Sequence, residues 1–313
     1  MTNLSEFTFL SSDGKTQLHG MLWEPEGVAV RAVLQICHGV AEHIARYDGF
    51  ARALNEQGIV VAGHDHLGHG KSLPEGGTPV YFGEGNTWNT VVDDIYVLHQ
   101  RLKQRYPDAP LCIMGHSMGS FLTRTYLIRY PGTVKAAIIM GTGWQPRAAI
   151  TGGLALANAI AAVSGENATS ELVTELAFGS YNKLFAPNRT KVDWLSADES
   201  NVDDYIADPL CGADATVGLF RQMLHGIRFN QRQSHLRQMD REMPVLFVAG
   251  DKDPVGSCGK GVRQTYDAFR AAGMRDCTLK LYPGLRHEIL NEKAYTADIT
   301  KNIEAWLLSR LEK

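Results

Sequence analysis

The most telling stretch of this chain is Leu111-Cys112-Ile113-Met114-Gly115-His116-Ser117-Met118-Gly119, an apolar run that leads straight into a Gly-x-Ser-x-Gly turn. A serine at the sharp turn between a buried parallel strand and a helix needs almost side-chain-free residues two positions away on each side. Gly115 and Gly119 meet that need. The turn presents the hydroxyl of Ser117 at the carboxyl end of the strand, where the start of the next helix favours developing negative charge. The pattern predicts a parallel α/β sheet with a nucleophilic serine at its edge.

A serine hydroxyl becomes a good nucleophile only when a base takes its proton and a carboxylate orients that base. In folds with this type of turn the chain order is serine, acid, histidine, with the last two in loops after late strands. Residues 244–250 form an apolar strand followed by Asp253, and residues 277–282 form an alternating strand followed by His287. The sequence therefore predicts Ser117, Asp253 and His287 as the catalytic residues.

Two acids compete for the same role, because Asp251 also follows the strand at 244–250. Asp253 precedes Pro254, which favours an extended conformation for it, and it lies further out on the loop. We expect Asp253 to face the histidine and Asp251 to cap the turn.

Ester or amide chemistry at a serine also needs two backbone N–H groups that hold the developing oxyanion. One comes from the residue after the nucleophile, here Met118, and the other from the loop after an early strand. The apolar strand at 31–37 is followed by His38-Gly39-Val40, so the amide of Val40 is the predicted second donor. Gly39 permits close approach of the backbone to the substrate.

These motifs give the chain a family resemblance. It resembles the α/β-hydrolase superfamily, and within it the monoglyceride lipase and lysophospholipase group. The resemblance implies an α/β-hydrolase fold with a mostly parallel sheet, helices on both faces and an inserted, mainly helical cap. It also implies the same triad and oxyanion donors, and no cofactor. It rests on the segments His38–His43 with Arg46-Tyr47, Asp65–Ser72, Gly115–Gly119, Gly250–Asp253 and the loop of His287.

Composition excludes several other classes. The chain has 313 residues, of which 44% are hydrophobic, which suffices for one large core. The net charge of −3 comes without a long basic run, so we expect no nucleic-acid partner. The first residues have neither a basic nor an apolar segment typical of a secretion signal, and the five cysteines show no paired spacing. We expect a cytoplasmic protein; its oligomeric state stays open.

Strands and helices alternate along most of the chain, as in a sheet covered on both faces. Residues 7–9 and 18–23 read as an antiparallel hairpin, followed by a helix at 45–57, a strand at 59–63, a helix at 87–105 capped by Asn86 or Thr87, and a strand at 134–140. A last helix repeats apolar residues from Tyr295 to Leu307.

The alternation stops between residues 143 and 243, a span too long for a loop. We predict a main domain at 1–142 and 244–313 and an inserted cap at 143–243. An apolar stretch at 148–163 is too short to span a bilayer. It could dock on a membrane surface, line an acyl-chain tunnel with Leu154, Leu156, Ile160 and Val163, or simply pack as a helix on the main domain.

Three histidines and a carboxylate stand close together in His64-Asp65-His66-Leu67-Gly68-His69. Such a run can bind a metal. The segment also matches a loop of the resembled family that carries no metal, and no second ligand cluster stands elsewhere in the sequence. We therefore expect no metal site, and we expect Asp65 to fix the loop by accepting hydrogen bonds from backbone amides.

The expected activity is hydrolysis of carboxylic esters, most of all monoacylglycerol or lysophospholipid-type lipids, through an acyl-enzyme on Ser117. Within enzymes, a short-chain carboxylesterase, a serine aminopeptidase and an acyltransferase remain alternatives. Outside enzymes, a ligand receptor with a vestigial triad is the alternative. Covalent labelling by a fluorophosphonate separates the enzyme from the receptor.

Overall fold

The computed structural model describes residues 1–311, except for the side chains of residues 176 and 177. One eight-stranded sheet forms the centre, with the strand order β1-β2-β4-β3-β5-β6-β7-β8. Its strands are β1 (Thr2–Leu10), β2 (Gln17–Pro25), β3 (Ala32–Cys37), β4 (Ile59–His64), β5 (Leu111–His116), β6 (Ala136–Met140), β7 (Val245–Gly250) and β8 (Cys277–Tyr282).

The sheet is antiparallel only at one side. β1 pairs with β2 as the predicted hairpin, β2 pairs antiparallel with β4, and β3 to β8 all run parallel. Successive side chains of a strand point to opposite faces, so Val33 joins one core and Leu34 joins the other. A parallel sheet with both faces buried places all its carboxyl ends at one edge, which is where loops assemble a site.

Eleven α-helices are described. They are α1 (Asp48–Asn55), α2 (Thr87–Arg105), α3 (Met118–Arg129), α4 (Arg147–Ser164), α5 (Glu171–Thr174), α6 (Ser180–Lys183), α7 (Glu199–Ala207), α8 (Val217–Asn230), α9 (Gln233–Leu236), α10 (Lys260–Ala271) and α11 (Thr296–Leu311). The fold class predicted from the sequence is confirmed.

Local details differ from the sequence predictions at helix starts. The helix expected at 45–57 begins as a 3₁₀ turn, Ile44–Tyr47, before α1. Asn86 is the N-cap of α2 but its side chain makes no capping hydrogen bond, and Thr87 instead donates to the carbonyl oxygen of Gly83. Tyr295 precedes α11 and is half exposed, so it does not belong to the packed stripe. All three differences lie at helix starts, where a periodic pattern is least informative.

The segment between β6 and β7, residues 141–244, adds no strand to the sheet among the described residues and carries α4 to α9. We call it the insertion. α4 packs on α8 so closely that a Cβ on Gly153 would lie 2.9 Å from Cδ1 of Leu224. The sequence predicts that the apolar stretch at 148–163 is too short for a bilayer, but α4 is longer than that stretch, and its length and composition alone would let it cross a membrane; 17% of it is buried. The division into two domains at 142/143 and 243/244 stays a prediction.

Candidate active site

Ser117 occupies the turn between β5 and α3 in a strained conformation, with φ 54° and ψ −122°. A Cβ on Gly115 would lie 2.3 Å from the carbonyl oxygen of Gly119, and one on Gly119 would lie 2.0 Å from that of Cys37. No real side chain tolerates such distances. Besides the turn itself, Gly115 is therefore required by the close approach of α3, and Gly119 by its packing against the end of β3.

The acid and histidine loops meet at the carboxyl ends of β7 and β8. Nδ1 of His287 lies 3.0 Å from Oδ1 of Asp253, and the two side chains are 2% and 0% exposed. Oδ1 of Asp253 also accepts a hydrogen bond from the amide of Val255 at 2.9 Å. The carboxylate is thus held by its own loop and offers one oxygen to the imidazole.

Asp251, the competing acid, lies elsewhere. Its Oδ1 accepts a hydrogen bond from the amide of Gly284 at 2.8 Å, and its own amide donates to the carbonyl oxygen of Tyr282. It therefore ties the end of β7 to the turn after β8. The sequence prediction that Asp251 stabilises a turn is confirmed by these bonds.

The loop after β3 approaches the serine from the other side. A Cβ on Gly39 would lie 3.1 Å from Cβ of Ser117, so only glycine allows this approach without a shift. Val40 follows in the same loop, and Met118 begins α3 beside Ser117. Within residues 1–311, no acceptor binds the amide hydrogen of Val40 or of Met118.

A buried carboxylate that the sequence reasoning missed holds this loop. Oε1 of Glu42 accepts hydrogen bonds from the amide of Gly39 at 2.5 Å and from the hydroxyl of Tyr47 at 3.0 Å. The same oxygen lies 3.2 Å from Nδ1 of His116, and Oε2 accepts from Arg46 at 3.0 Å. Glu42 therefore fixes the backbone of the loop that contains Val40.

A second buried carboxylate, Glu288, follows His287 directly. It receives two hydrogen bonds from the guanidinium of Arg46, at 2.7 and 2.8 Å, and one from Asn201 at 2.8 Å. Its amide donates to the carbonyl oxygen of Leu195 at 2.7 Å. Because Arg46 binds both acidic residues, it connects the loop after β3 with the loop of His287.

His116 stands between these two loops as a cation. Its Nε2 lies 3.3 Å from the carbonyl oxygen of His287, and its Nδ1 faces Glu42. Both neighbours are acceptors, so both ring nitrogens must donate. Burial lowers the pKa of His116, but the hydrogen bond and charge of Glu42 outweigh burial and raise it. Burial likewise raises the pKa of Glu42, yet His116 and Arg46 hold it well below its usual value.

Ser117 and His287 line one cavity of about 1070 Å³ that opens toward the insertion. The ring of Trp194 lies 5.1 Å from that of His287, and Trp194 stacks on Phe178 at 6.2 Å. The carbonyl oxygen of Ser196 accepts a hydrogen bond from Arg286 at 3.0 Å. The insertion thus covers the histidine with an aromatic wall.

This wall differs from the sequence expectation for the cap. The residues expected to line a tunnel belong to α4, and none of them lines the cavity. Leu154 is buried against the core, whereas Val163 is 88% exposed. α4 therefore packs on α8 with one side and presents its other side to solvent. The aromatic wall was missed because the segment at 191–208 reads as polar and has no helical or strand period.

The histidine run after β4 is buried and does not gather its ring nitrogens into a ligand set. The rings of His38 and His66 lie 4.2 Å apart, and His64 contacts His66 at 5.0 Å. Within residues 1–311, the described groups whose metal-binding atoms converge do not include these histidines. Burial lowers the pKa of His64 and that of His69 to about 3, so both rings are neutral.

Asp65 anchors this loop as expected. Its Oδ1 accepts from the amide of Ile44 at 2.8 Å, and its Oδ2 accepts from that of Lys71 at 2.9 Å and lies 2.9 Å from Nδ1 of His19. A Cβ on Gly70 would lie 2.5 Å from the carboxylate, which explains the glycine. Asp65 therefore joins the loop after β4 to the one after β3.

Comparisons with known proteins agree with this architecture. Residues 28–294 match the model of the serine aminopeptidase S33 family. The chain is 30% identical over 312 residues to the monoacylglycerol lipase of Mycolicibacterium smegmatis, covering 98% of each chain. It is 27% identical to the monoglyceride lipase of Mus musculus, covering 96% of this chain and 90% of that one.

Among solved structures, the chain is similar to a highly thermostable carboxyl esterase from Bacillus coagulans in complex with glycerol. The TM-score is 0.92 at 26% identity, over 99% of this chain and 100% of that one. A match of this extent includes both the sheet and the insertion. The chain therefore belongs to the serine aminopeptidase S33 family of the α/β-hydrolase superfamily, and to the monoglyceride lipase-like group of that superfamily.

Proposed function

We propose that this chain, a carboxylic ester hydrolase, cleaves esters of medium and long acyl chains through Ser117, His287 and Asp253. The observation that carries the proposal is the pairing of the buried Asp253 with His287, which lines the same cavity as Ser117. A strained serine, an imidazole and a buried carboxylate in this chain order are the parts that acyl transfer needs.

In the proposed first step, Nε2 of His287 takes the hydroxyl proton of Ser117 as Oγ attacks the ester carbonyl carbon. Nδ1–H of His287 donates to Asp253, which keeps the ring in the required tautomer and stabilises the imidazolium. The imidazolium then protonates the departing alcohol, which leaves an acyl-enzyme. Water attacks the acyl-enzyme with His287 as base, and Ser117 is regenerated.

The tetrahedral oxyanion in this scheme is held by the amides of Val40 and Met118. What supports this assignment is that neither amide has another acceptor among residues 1–311, that Val40 lines the same cavity as Ser117, and that Met118 follows Ser117 directly. Such donors act strongly because they are oriented before the reaction and lie out of water. Glu42 contributes by holding the amide of Gly39, so the loop is rigid before substrate arrives.

The substrate class we propose is monoacylglycerol or lysophospholipid. A cavity of about 1070 Å³ slightly exceeds the ~300–1,000 Å³ range for ligand sites, which leaves room for a long chain. Phe178 and Trp194 give it apolar wall area beside the histidine. The relatives are named for monoacylglycerol and monoglyceride, which favours this class.

The test is a series of p-nitrophenyl esters and monoacylglycerols of increasing acyl length. The proposal requires kcat/KM to rise with length until the cavity is filled. A flat or falling series points to the short-chain carboxylesterase, and cleavage of amino-acid p-nitroanilides in preference to esters points to the aminopeptidase. Transfer of the acyl group to an added alcohol at the expense of hydrolysis points to the acyltransferase.

A fluorophosphonate probe separates all of these from a receptor with an inactive triad. We expect the probe to label Ser117 covalently, because a paired His287 raises the nucleophilicity of the serine. A pure, folded protein that stays unlabelled would identify a receptor.

We also propose that α4 contacts membrane surfaces transiently while the main domain stays in the cytoplasm. The exposed side of α4 carries Val163, which is 88% exposed, on a helix that is only 17% buried. An amphipathic helix with a broad apolar face lies in the headgroup region rather than across it. Flotation with neutral lipid vesicles measures this contact, and Val163→Asp should weaken it.

A further inference from the structure

A cluster of three different metal-binding groups, none of them part of the proposed triad, lies beside the cavity, and one of the three, Cys211, lines it. His43 stands at the end of the loop after β3, and Asp208 and Cys211 follow α7 in the insertion. Their donor atoms all lie within 4.8 Å of one another, with Nε2 of His43 at 2.8 Å from Oδ2 of Asp208. Two segments more than 160 residues apart in sequence thus bring an imidazole, a carboxylate and a thiol to one point.

The donors are oriented by their own backbone. The amide of Leu210 donates to Oδ1 of Asp208 at 2.8 Å, which turns Oδ2 toward His43. The amide of Cys211 donates to the carbonyl oxygen of Asp208 at 3.0 Å, so the two ligands share one tight turn. Ligands that are fixed before binding lose little conformational entropy when a metal arrives.

We propose that His43, Asp208 and Cys211 form a binding site for a divalent cation of the zinc class. Zinc takes nitrogen, carboxylate oxygen and thiolate ligands at about 2.0–2.3 Å in tetrahedral geometry. Ligand atoms of such a site lie roughly 3–4 Å apart, so the observed cluster needs only small side-chain movements. The fourth position is left for water. Binding releases the thiol proton of Cys211 to solvent, and the ring proton of His43 moves from Nε2 to Nδ1 so that Nε2 can coordinate the metal.

The charge around the cluster permits a cation. Arg46 lies nearby and would repel a metal, but it is bound by both Glu42 and Glu288. With Asp208 and the His116 cation that faces Glu42, the five groups carry two positive and three negative charges. Hard cations such as Mg²⁺ are disfavoured, because they need about six oxygen ligands and this cluster offers a thiol and an imidazole.

Metal binding at this point would join the insertion to the loop that carries Val40. Besides the hydrogen bond between His43 and Asp208, two others already make that contact, since the amide of Gly212 and the hydroxyl of Tyr205 each donate at 3.0 Å to the carbonyl oxygen of Ala41. Cys211, Gly212 and Ala41 also line the cavity of Ser117. The cation would lock this wall and slow passage of substrate and product. This effect on turnover, unlike metal binding itself, rests on the proposed function.

The test uses tag-free, full-length protein freed of metal by chelation. Titration with Co²⁺ should give thiolate-to-cobalt charge-transfer absorption at one equivalent, and one equivalent of Zn²⁺ should remove it. Zn²⁺ should raise the Tm by several degrees, because a ligand that binds only the folded state stabilises it. It should also lower ester turnover several-fold, and a chelator should restore turnover.

Two cysteine variants give the matched comparison. Cys211→Ser should abolish the cobalt absorption and the Tm rise, whereas Cys258→Ser, at an exposed thiol outside the cluster, should keep both. His43→Gln should weaken cobalt binding by at least about tenfold, the scale for the loss of one ligand or its partner. Wild-type protein without thiolate-cobalt absorption, or Cys211→Ser with unchanged absorption, would overturn the proposal.

The cobalt and Tm readings do not depend on catalysis. An inactive protein that binds Co²⁺ through Cys211 would therefore contradict the proposed hydrolysis and support the metal site. An active protein that zinc inhibits equally in wild type and Cys211→Ser would contradict the metal site and leave the hydrolysis standing.

Discussion

The carboxyl edge of the sheet and the insertion enclose the same cavity but are built in different ways. At the sheet edge every approach is tight: Gly119 has no room for a Cβ against Cys37, and Gly39 has little against Ser117. The insertion instead covers the cavity with a loose wall of half-buried residues such as Phe178 and Val192. A site whose atoms are fixed by backbone contacts tolerates almost no substitution, whereas the side chains that form a wall can be replaced by others. This difference supports the proposal that the first region carries the chemistry and the second the selectivity.

The largest effect should follow a change at the sheet edge. Ser117→Ala should fold normally and lose ester hydrolysis by at least about three orders of magnitude, the scale for removal of a catalytic nucleophile. Ser170→Ala is the matched control, because Ser170 lines the same cavity from the insertion and should change turnover only a few-fold. Steady-state kinetics and thermal melts of both variants make the measurement. Near wild-type turnover in Ser117→Ala would remove the basis for placing the chemistry at the sheet edge.

Within the sheet edge, the two acids provide a sharper contrast. Asp253→Asn should lower kcat by about two to three orders of magnitude, since an amide no longer stabilises the imidazolium of His287. Asp251→Asn should retain most activity, because Asp251 binds only the turn at Gly284. Parallel kcat measurements decide between them. The opposite order of the two variants would show that the wrong carboxylate has been assigned.

The difference between the regions also explains what could be predicted from sequence. The turn at Ser117 is predictable because its requirements are local: an apolar strand, two glycines and a helix. Glu42 was missed although Gly39, Arg46 and Tyr47 are close to it in sequence, because its burial depends on residues such as His116, which is 74 residues away. Trp194 was missed because the sequence of the insertion has no hydrophobic periodicity that would show which of its side chains face the cavity. The strands of the parallel sheet repeat one recognisable sequence pattern, a short apolar run followed by a loop and a helix. The structure of the insertion depends mainly on long-range contacts, which no local pattern reveals.

Acid should destabilise the sheet edge through its buried histidines. Burial holds the pKa of His64 and that of His69 near 3, so the unfolded chain, with a histidine pKa of about 6.5, takes up protons first as the pH falls. Stability should be unaffected by these groups above pH 6.5 and should then decline by about 1.4 kcal/mol per pH unit for each ring. Urea unfolding at pH 7.5, 6.0 and 5.0 measures the slope. His64→Leu should reduce that slope by about 1.4 kcal/mol per pH unit, the contribution of one ring. An unchanged slope would mean that the ring of His64 is already protonated in the folded protein over this pH range.

The smallest effect, and the most specific, should come from the wall. Each buried methylene is worth roughly 0.8 kcal/mol, which corresponds to about a fourfold gain in kcat/KM per carbon while the chain stays in contact with apolar surface. Phe178→Ser should lower kcat/KM for long acyl chains by about tenfold, which flattens the rise with chain length. The kcat/KM for acetyl esters should change little, because an acetyl group need not reach the wall. Leu156→Ser, on α4 outside the cavity, is the control and should leave the slope intact. kcat/KM against chain length for the three proteins, with melts to confirm folding, gives the comparison. If Phe178→Ser lost short and long esters equally while Leu156→Ser flattened the slope, the acyl chain would lie along α4, and the aromatic residues would serve to hold His287 rather than to select the substrate.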